Sequence, residues 1–280
     1  MEEVLVCLKQ VPNTNEIKID SENHTLIREG VDSILNPYDD YALEEALALK
    51  RKYGIKVGTL SMGPPQAIEV LKYSLERGAD EAFLLTDKRL AGSDTWATAL
   101  AIVSLIKKIN YKNIFCGQES IDSGTGHIGS SIAELLNIPH INYAKKIISL
   151  SSNKLKVLSK FDNCDAVLEV KSPLAVSFLR KSKKIIQKKN IEVRLDHIKK
   201  YNLDDIGLNE KYAGLDGSFT QVINIDIDER FVGYMTVDNN LKADERIRII
   251  LSGGITEKKD RKVIKDLSMA ALVELSNLIR

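Results

Sequence analysis

Short apolar runs alternate with amphipathic stretches along the first half of the chain. Val4–Leu8 is an apolar run with β-branched residues, of the kind that forms a buried strand. Similar runs predict further strands at Val57–Met62, Glu81–Leu85 and Asn113–Gly117. Stretches with apolar residues at helical spacing separate these runs. Strands that alternate with helices predict a parallel sheet covered by helices on its faces.

The ends of the predicted helices carry capping residues. Asn36 is expected to cap a helix that starts at Pro37 and ends near Gly54, because these residue types favour those three positions. Asp94 is expected to cap another helix by the same chemistry. A further helix is predicted from about Thr125 to Leu136, after a polar, glycine-rich loop.

The pattern changes after residue 140, where strands follow one another without intervening helices. A hairpin is predicted over residues 147–158, with further strands at 166–170 and 174–179. Residues 13–35 predict a loop with a small hairpin, and a last amphipathic helix is expected from about Lys262. The predicted fold class is therefore α/β, with a doubly wound, mostly parallel sheet, late antiparallel strands and a C-terminal extension.

Composition excludes several classes of protein. The chain has 280 residues, 40 Lys+Arg and 39 Asp+Glu, so its near-neutral charge predicts no nucleic-acid partner. No apolar run is long enough to predict a membrane span, and the first residues lack the features of a signal peptide. Cys7, Cys116 and Cys164 form no CxxC pair, and the histidines lack metal-ligand spacing. We therefore expect no disulfide, no bound metal and a reduced, cytoplasmic compartment.

Ligands of open parallel sheets bind beyond the carboxyl ends of the strands, which here include the loop 117–129. Its glycines allow a close approach of the backbone, and the following helix start favours phosphate. Asp122 is a candidate acceptor for ribose hydroxyls, and Thr125 offers a hydroxyl at the predicted helix start. The candidate ligand-binding residues are Cys7, Leu8, Lys9, Asn36, Met62, Gly63, Gly117, Asp122, Ser123, Gly124, Thr125, Gly126, His127, Ile128 and Gly129.

Each of these assignments has a structural alternative. The loop is also consistent with an ordinary strand-to-helix connection that ends in a capping threonine. Cys7 is expected to be a small packed residue, and His127 a hydrogen-bonding loop residue rather than a catalyst. Trp96 and the tyrosines near the predicted helices are expected to serve packing rather than flavin stacking.

Three segments in order resemble the beta-subunit family of electron-transfer flavoproteins. They are Val6–Pro12, Asn36–Ala46 and Gly117–Gly129, with Leu60–Pro64 and Arg77–Asp80 between the last two. Each segment alone is a weak signal, but the ordered set is specific. The order and spacing match over residues 1 to about 180.

The resemblance implies a heterodimer with an alpha subunit, in which FAD lies at the subunit interface. It implies a second nucleotide inside this chain, which is AMP in housekeeping carriers and a second FAD in electron-bifurcating ones. Gly126 stands where AMP-binding relatives carry a bulkier asparagine, and we therefore favour FAD there. Gly126 is also explained by a positive φ angle alone. Such a protein is an electron carrier between a dehydrogenase, or another redox partner, and an acceptor, and not a stand-alone catalyst. Residues 1–192 would form the nucleotide-binding domain, and residues 193–280 an extension that contacts the alpha subunit.

Two features depart from the family pattern. The loop that docks acyl-CoA dehydrogenases in this family is missing between Phe178 and Val193. The basic segment Arg180–Lys189 then offers a docking patch for an acidic surface, or a solvated face. The rival from another class is a flavin-independent, adenine-nucleotide-binding sensor of the universal-stress type, which would need no long extension. An ATP-dependent enzyme is disfavoured because Ser252–Gly254 continues with the wrong residues and no Walker-type lysine loop is present.

Overall fold

The computed structural model describes residues 3–13, 18–19, 26–27, 33–180 and 197–220. The helices are α1 Pro37–Tyr53, α2 Ile68–Glu76, α3 Thr95–Ile109 and α4 Ile128–Leu136. The strands are β1 Glu3–Cys7, β2 Gln10–Pro12, β3 Lys18–Ile19, β4 Leu26–Ile27, β5 Ser33–Leu35, β6 Lys56–Met62, β7 Glu81–Leu85, β8 Ile114–Gly117, β9 His140–Ser151, β10 Lys154–Lys160, β11 Asp165–Lys171, β12 Ala175–Phe178 and β13 Ile198–Tyr201.

A nine-stranded sheet organises the chain, in the order β11-β10-β9-β12-β8-β1-β6-β7-β13. Every neighbouring pair from β9 to β13 in this order is parallel, while β9, β10 and β11 pair in antiparallel fashion. The chain winds outwards from β1 through β6 and β7, and then returns to the other side of β1 with β8. This confirms the predicted α/β fold, doubly wound with late antiparallel strands. The strand order reverses between β1 and β8, which is the ligand position expected in such sheets.

Helices cover both faces of the sheet, and strand β1 shows why. Val4 and Val6 point into the core beneath α1 and α2, whereas Leu5 and Cys7 point into the core beneath α3 and α4. Both sets of side chains are buried, as expected of a central parallel strand whose residues alternate between two covered faces. The near-continuous apolar run that predicted this strand follows from burial on both sides.

The predicted late hairpin is present as β9 and β10. Ser152 and Asn153 connect the strands with φ angles of 47° and 62°, the two positive values that match the twist of a hairpin. The small hairpin predicted within residues 13–35 corresponds to the antiparallel pair β3 and β4. Strands β2 and β5, which precede and follow that pair in the sequence, form a separate antiparallel pair.

Helix α4 begins later than its sequence predicts. Helix α4 starts at Ile128 rather than near Thr125, because Gly124 and Gly126 have φ angles of 64° and 68° that a right-handed helix does not accept. The prediction that Thr125 lies at the helix start is therefore wrong.

Residues 197–220 include β13, which pairs with β7 at the edge of the sheet. The predicted boundary between residues 192 and 193, and the helix predicted from Lys262, lie outside the described residues.

Candidate functional site

The carboxyl ends of β1, β6 and β8 lie side by side at one edge of the sheet. This arrangement brings Cys7, Met62 and Gly117 to the same edge, since each is the last residue of its strand. The loop 118–127 continues from Gly117 to the start of α4. The structure therefore gathers the predicted residues around the point where the strand order reverses.

The side chain of Asp39, in the first turn of α1, connects two of these strand ends. The carboxylate of Asp39 accepts hydrogen bonds from the backbone N–H of Lys9 at 2.8 Å and of Gly117 at 2.9 Å. Asp39 is buried, and this burial raises its pKa to about 7, against the opposing effect of the hydrogen bonds. The local sequence places Asp39 in the first turn of a helix but does not indicate its partners, which lie 30 and 78 residues away.

Helix α1 approaches strand β8 closely at Gly117. A Cβ atom at this position would lie 2.6 Å from Cβ of Tyr38 and 2.8 Å from the backbone nitrogen of Asp39. Real Cβ atoms do not approach other atoms this closely, so only glycine fits here. The role of Gly117 is therefore the contact between helix and strand.

The side chain of Asn36 does not cap α1 as the sequence predicted, although the residue occupies the N-cap position. Its amide nitrogen donates to the backbone oxygen of Glu119 at 2.8 Å, and its amide oxygen accepts from the N–H of Ile121 at 3.4 Å. The Tyr38 hydroxyl adds a hydrogen bond to Glu119 Oε1 at 2.5 Å. The start of α1 therefore holds the first residues of the loop in place.

Lys9 joins β1 to the same loop through its side chain. Its Nζ lies 2.8 Å from both carboxylate oxygens of Asp122 and donates to Ser120 Oγ at 3.3 Å. Partial burial opposes ionisation of Asp122, but the hydrogen bonds from Lys9 and Ser120 outweigh it and lower the pKa of this carboxyl. Asp122 is therefore an ionised acceptor, and a carboxylate has lone pairs left for ligand hydroxyls.

The start of α4 presents backbone donors beside this loop. The first N–H groups of an α-helix have no acceptor within the helix, and the side chain of His127 does not cap them. Gly124 and Gly126, with positive φ angles, set the path of the backbone that leads to the helix start. A Cβ atom at Gly126 would lie 3.4 Å from the backbone oxygen of Gln118. Such a helix start favours a phosphate group. The positive φ angle of Gly126 also favours glycine at this position, independently of any ligand.

Gly129 serves contact with the sheet rather than with the loop. A Cβ atom there would overlap Oγ of Ser177 and lie 3.1 Å from Nε2 of His140. Those two side chains are hydrogen-bonded to each other at 2.8 Å, and burial lowers the pKa of His140 to about 4. A larger residue at position 129 would clash with the sheet, so its first effect would be on the fold rather than on ligand binding.

The side chains of Cys7, Cys116 and Trp96 pack against neighbours. Cys7 and Cys116 are buried, and the contact between the two thiols, followed by burial, raises the pKa of Cys116. A raised pKa makes a thiol unreactive. The ring of Trp96 lies against that of Phe219, with centroids 5.5 Å apart. In the described part of the chain, the acidic, histidine and cysteine side chains form no metal-binding group. No described helix is long and apolar enough to span a bilayer.

Comparison with known proteins identifies the family. The Electron transfer flavoprotein domain matches residues 23–195. The electron transfer flavoprotein subunit beta of Clostridium acetobutylicum is 43% identical over 222 residues, which cover 78% of this chain and 85% of that protein. The caffeyl-CoA reductase-Etf complex subunit CarD of Acetobacterium woodii is 41% identical over 224 residues, or 78% and 85% of the two chains. Protein FixA of Azorhizobium caulinodans is 37% identical over 189 residues, or 65% and 67%. The chain therefore belongs to the electron transfer flavoprotein family and resembles its beta subunits throughout the matched region.

Proposed function

We propose that the chain is the nucleotide-binding beta subunit of a heterodimeric electron carrier. It would pair with an alpha subunit and pass electrons between a dehydrogenase, or another redox partner, and an acceptor. The flavin would perform the redox chemistry, while the protein would bind and orient it. The observation that carries the proposal is the array around α1, in which Asn36 and Asp39 hold the loop 117–122 against β1.

The ligand of this array is proposed to be a nucleotide held inside the chain, in addition to FAD at the interface with the alpha subunit. Asp122 would accept hydrogen bonds from ribose hydroxyls, and the first N–H groups of α4 would bind phosphate. The backbones of Cys7, Leu8, Met62 and Gly63 at the strand ends would complete the site. Lys9 would contribute only its side chain, because its backbone N–H donates to Asp39 and its backbone oxygen accepts from the N–H of Asn36.

The internal nucleotide is proposed to be a second FAD, with AMP as the alternative, and a second FAD would favour electron bifurcation. Support comes from the small residue at Gly126. The positive φ angle of Gly126 is the alternative reason for glycine at this position. Two FAD per heterodimer would support the proposal, whereas one FAD with one AMP would assign the protein to the simpler carriers.

The same proposal covers the partner proteins, the C-terminal extension and the cellular compartment. Residues 193–280 would contact the alpha subunit, and the missing docking loop would disfavour acyl-CoA dehydrogenases. The three free cysteines agree with a reduced, cytoplasmic compartment. The universal-stress alternative finds no support among the relatives, which are beta subunits and related Etf or Fix proteins.

Expression with and without an alpha subunit tests the pairing. We expect the chain alone to bind little FAD, and to recover FAD when the alpha subunit is expressed with it. The readouts are the flavin absorbance spectrum and the nucleotides released on denaturation. A stable monomer that is fully loaded with FAD would contradict the proposal.

A further inference from the structure

Tyr143 has an unusual backbone conformation in the middle of strand β9. Its φ angle is 53°, in the left-handed region that costs a bulky residue energy. The other described non-glycine residues with positive φ are Asn110, Asn137, Ser152 and Asn153. These occupy helix ends or the hairpin turn, where that conformation is ordinary. Tyr143 is the aromatic exception among the described residues.

Buried polar side chains hold this conformation from both sides. The backbone N–H of Tyr143 donates to Oε1 of Gln118 at 2.9 Å, and the hydroxyl of Ser159 donates to the backbone oxygen of Asn142. Gln118 and Ser159 are both buried. The register of β9 shifts here against both β10 and β12, as a β-bulge requires. These hydrogen bonds therefore hold the backbone of Tyr143 and of its neighbour Asn142 in place.

The bulge lies near the carboxyl ends of the parallel strands, as the candidate site does. Phe178 of β12 is paired with Gly117 on one side and with Ala144 on the other, so Tyr143 is level with the carboxyl end of β8. Gln118, which bonds Tyr143, is the first residue of the loop. Tyr143 is 50% exposed, although it is a large aromatic residue beside a buried strand.

We propose that Tyr143 is a ligand-contacting residue of the nucleotide site and that its ring stacks on a planar ring of the bound nucleotide. The inference rests on the proposed function and extends it to a strand outside the loop 117–129. Strained backbone persists where the surroundings enforce it, and bulges beside binding sites serve to re-aim a side chain. A half-exposed aromatic ring offers the flat apolar face that adenine or an isoalloxazine ring stacks on. The ring, rather than the hydroxyl, is the group that matters.

Substitutions that separate the ring from the backbone strain test this inference in the heterodimer. The variants are Tyr143→Phe, Tyr143→Leu and Tyr143→Gly, with released FAD and AMP and the unfolding temperature measured for each. We expect the Phe variant to retain the full nucleotide content. The Leu and Gly variants should contain at least threefold less internal nucleotide than the wild-type protein. The Gly variant should also unfold about 2–4 °C above the Leu variant, because glycine accepts the positive φ angle without strain.

Asn153→Gly is the matched control, since it changes a residue with φ 62° in the distant hairpin turn. It should leave nucleotide content unchanged. Full retention of the nucleotide by both Tyr143→Leu and Tyr143→Gly would overturn the stacking role. Loss of the internal nucleotide, whether it is FAD or AMP, from the Leu and Gly variants but not from the Phe variant would support the inference. A wild-type heterodimer without any internal nucleotide would instead overturn the proposed function itself.

Discussion

The carboxylate of Asp39 accepts a hydrogen bond from the backbone N–H of Gly117 at 2.9 Å, across the top of the sheet. Its second oxygen accepts from the N–H of Lys9 at 2.8 Å. One buried side chain in the first turn of α1 thus joins the ends of β1 and β8, the pair of strands between which the strand order reverses. The candidate loop leaves the sheet immediately after this junction.

Removal of that carboxylate should destabilise the fold. Asp39→Ala removes the acceptor of two backbone N–H groups, one on buried Gly117 and one on half-buried Lys9, at about 1–3 kcal/mol for each group. We expect the free energy of unfolding, measured with denaturant, to fall by about 2–6 kcal/mol. Asp162→Ala, at an exposed position, is the control and should change it by less than about 0.5 kcal/mol. Equal stability of the two variants would show that these hydrogen bonds contribute little.

The ionisation of Asp39 predicts a pH dependence. Its pKa is about 7 in the folded chain, whereas an unfolded aspartate titrates near 4, so the folded state holds the proton more tightly. The stability from this group is fully present below about pH 4 and is lost as pH rises to 7. Asp39→Asn cannot titrate, so the stability of the wild-type relative to this variant should decrease between pH 4.5 and 7.5. A difference that does not vary with pH would contradict the buried, protonatable carboxyl.

Gly117 permits the close approach of α1 to β8. Gly117→Ala places a Cβ 2.6 Å from Cβ of Tyr38, and such overpacking costs about 1–3 kcal/mol. We expect lower stability and lower nucleotide content together, because the strain displaces the helix that holds the loop. Gly54→Ala is the matched control, with a φ angle of 69° but no atom within 4 Å of the added Cβ. It should cost about 1 kcal/mol and leave nucleotide content unchanged.

The ion pair between Lys9 and Asp122 should matter for binding more than for stability. Exposed ion pairs contribute about 0–1 kcal/mol, and the side chain of Lys9 is well exposed. Lys9→Ala should therefore change the unfolding temperature little, but should release the loop and reduce the nucleotide retained on gel filtration. Lys50→Ala removes a similar pair with Asp80 elsewhere on the surface and should retain the nucleotide. Identical retention by both variants would show that Lys9 does not order the site.

The burial of His140 predicts a loss of stability in acid. Burial lowers its pKa to about 4 in the folded chain, below the ordinary value near 6.5. The stability of the neutral ring is fully present above about pH 6.5 and is lost as pH falls towards 4. His140→Gln lacks this titration, so its stability should depend less on pH across that interval. Parallel stability curves for the two proteins would contradict the buried neutral imidazole.

Local patterns were sufficient to predict most of the fold. Apolar runs predicted the central strands, and Asp94 caps its helix through the N–H of Ala97 at 2.9 Å, as its residue type indicated. Relationships across the chain were not predictable from such patterns. The bond between Asp39 and Gly117 joins residues 78 positions apart, and no periodicity encodes it.

The site shows the same division. Sequence placed Asp122 and the glycines in one loop, but not the ion pair of Asp122 with Lys9, which depends on the strand order. Gly129 was predicted as a ligand contact because glycine lets the backbone approach a ligand, and this stays a prediction. Its close contact with Ser177 in the sheet was not predictable from the local sequence. The bulge at Tyr143 depends on the side chains of Gln118 in the loop after β8 and of Ser159 in β10, so the sequence of β9 alone could not reveal it.

The most direct test of the account is the nucleotide content of purified heterodimers that carry wild-type Asp122 or Asp122→Ala. The wild-type protein should release one FAD from the interface and one further nucleotide from the site beside Asp122. The variant should keep the interface FAD and lose most of the second nucleotide, because the loop then lacks its carboxylate acceptor. A wild-type heterodimer with a single FAD and no second nucleotide, or a variant with undiminished content of both, would contradict the proposed site.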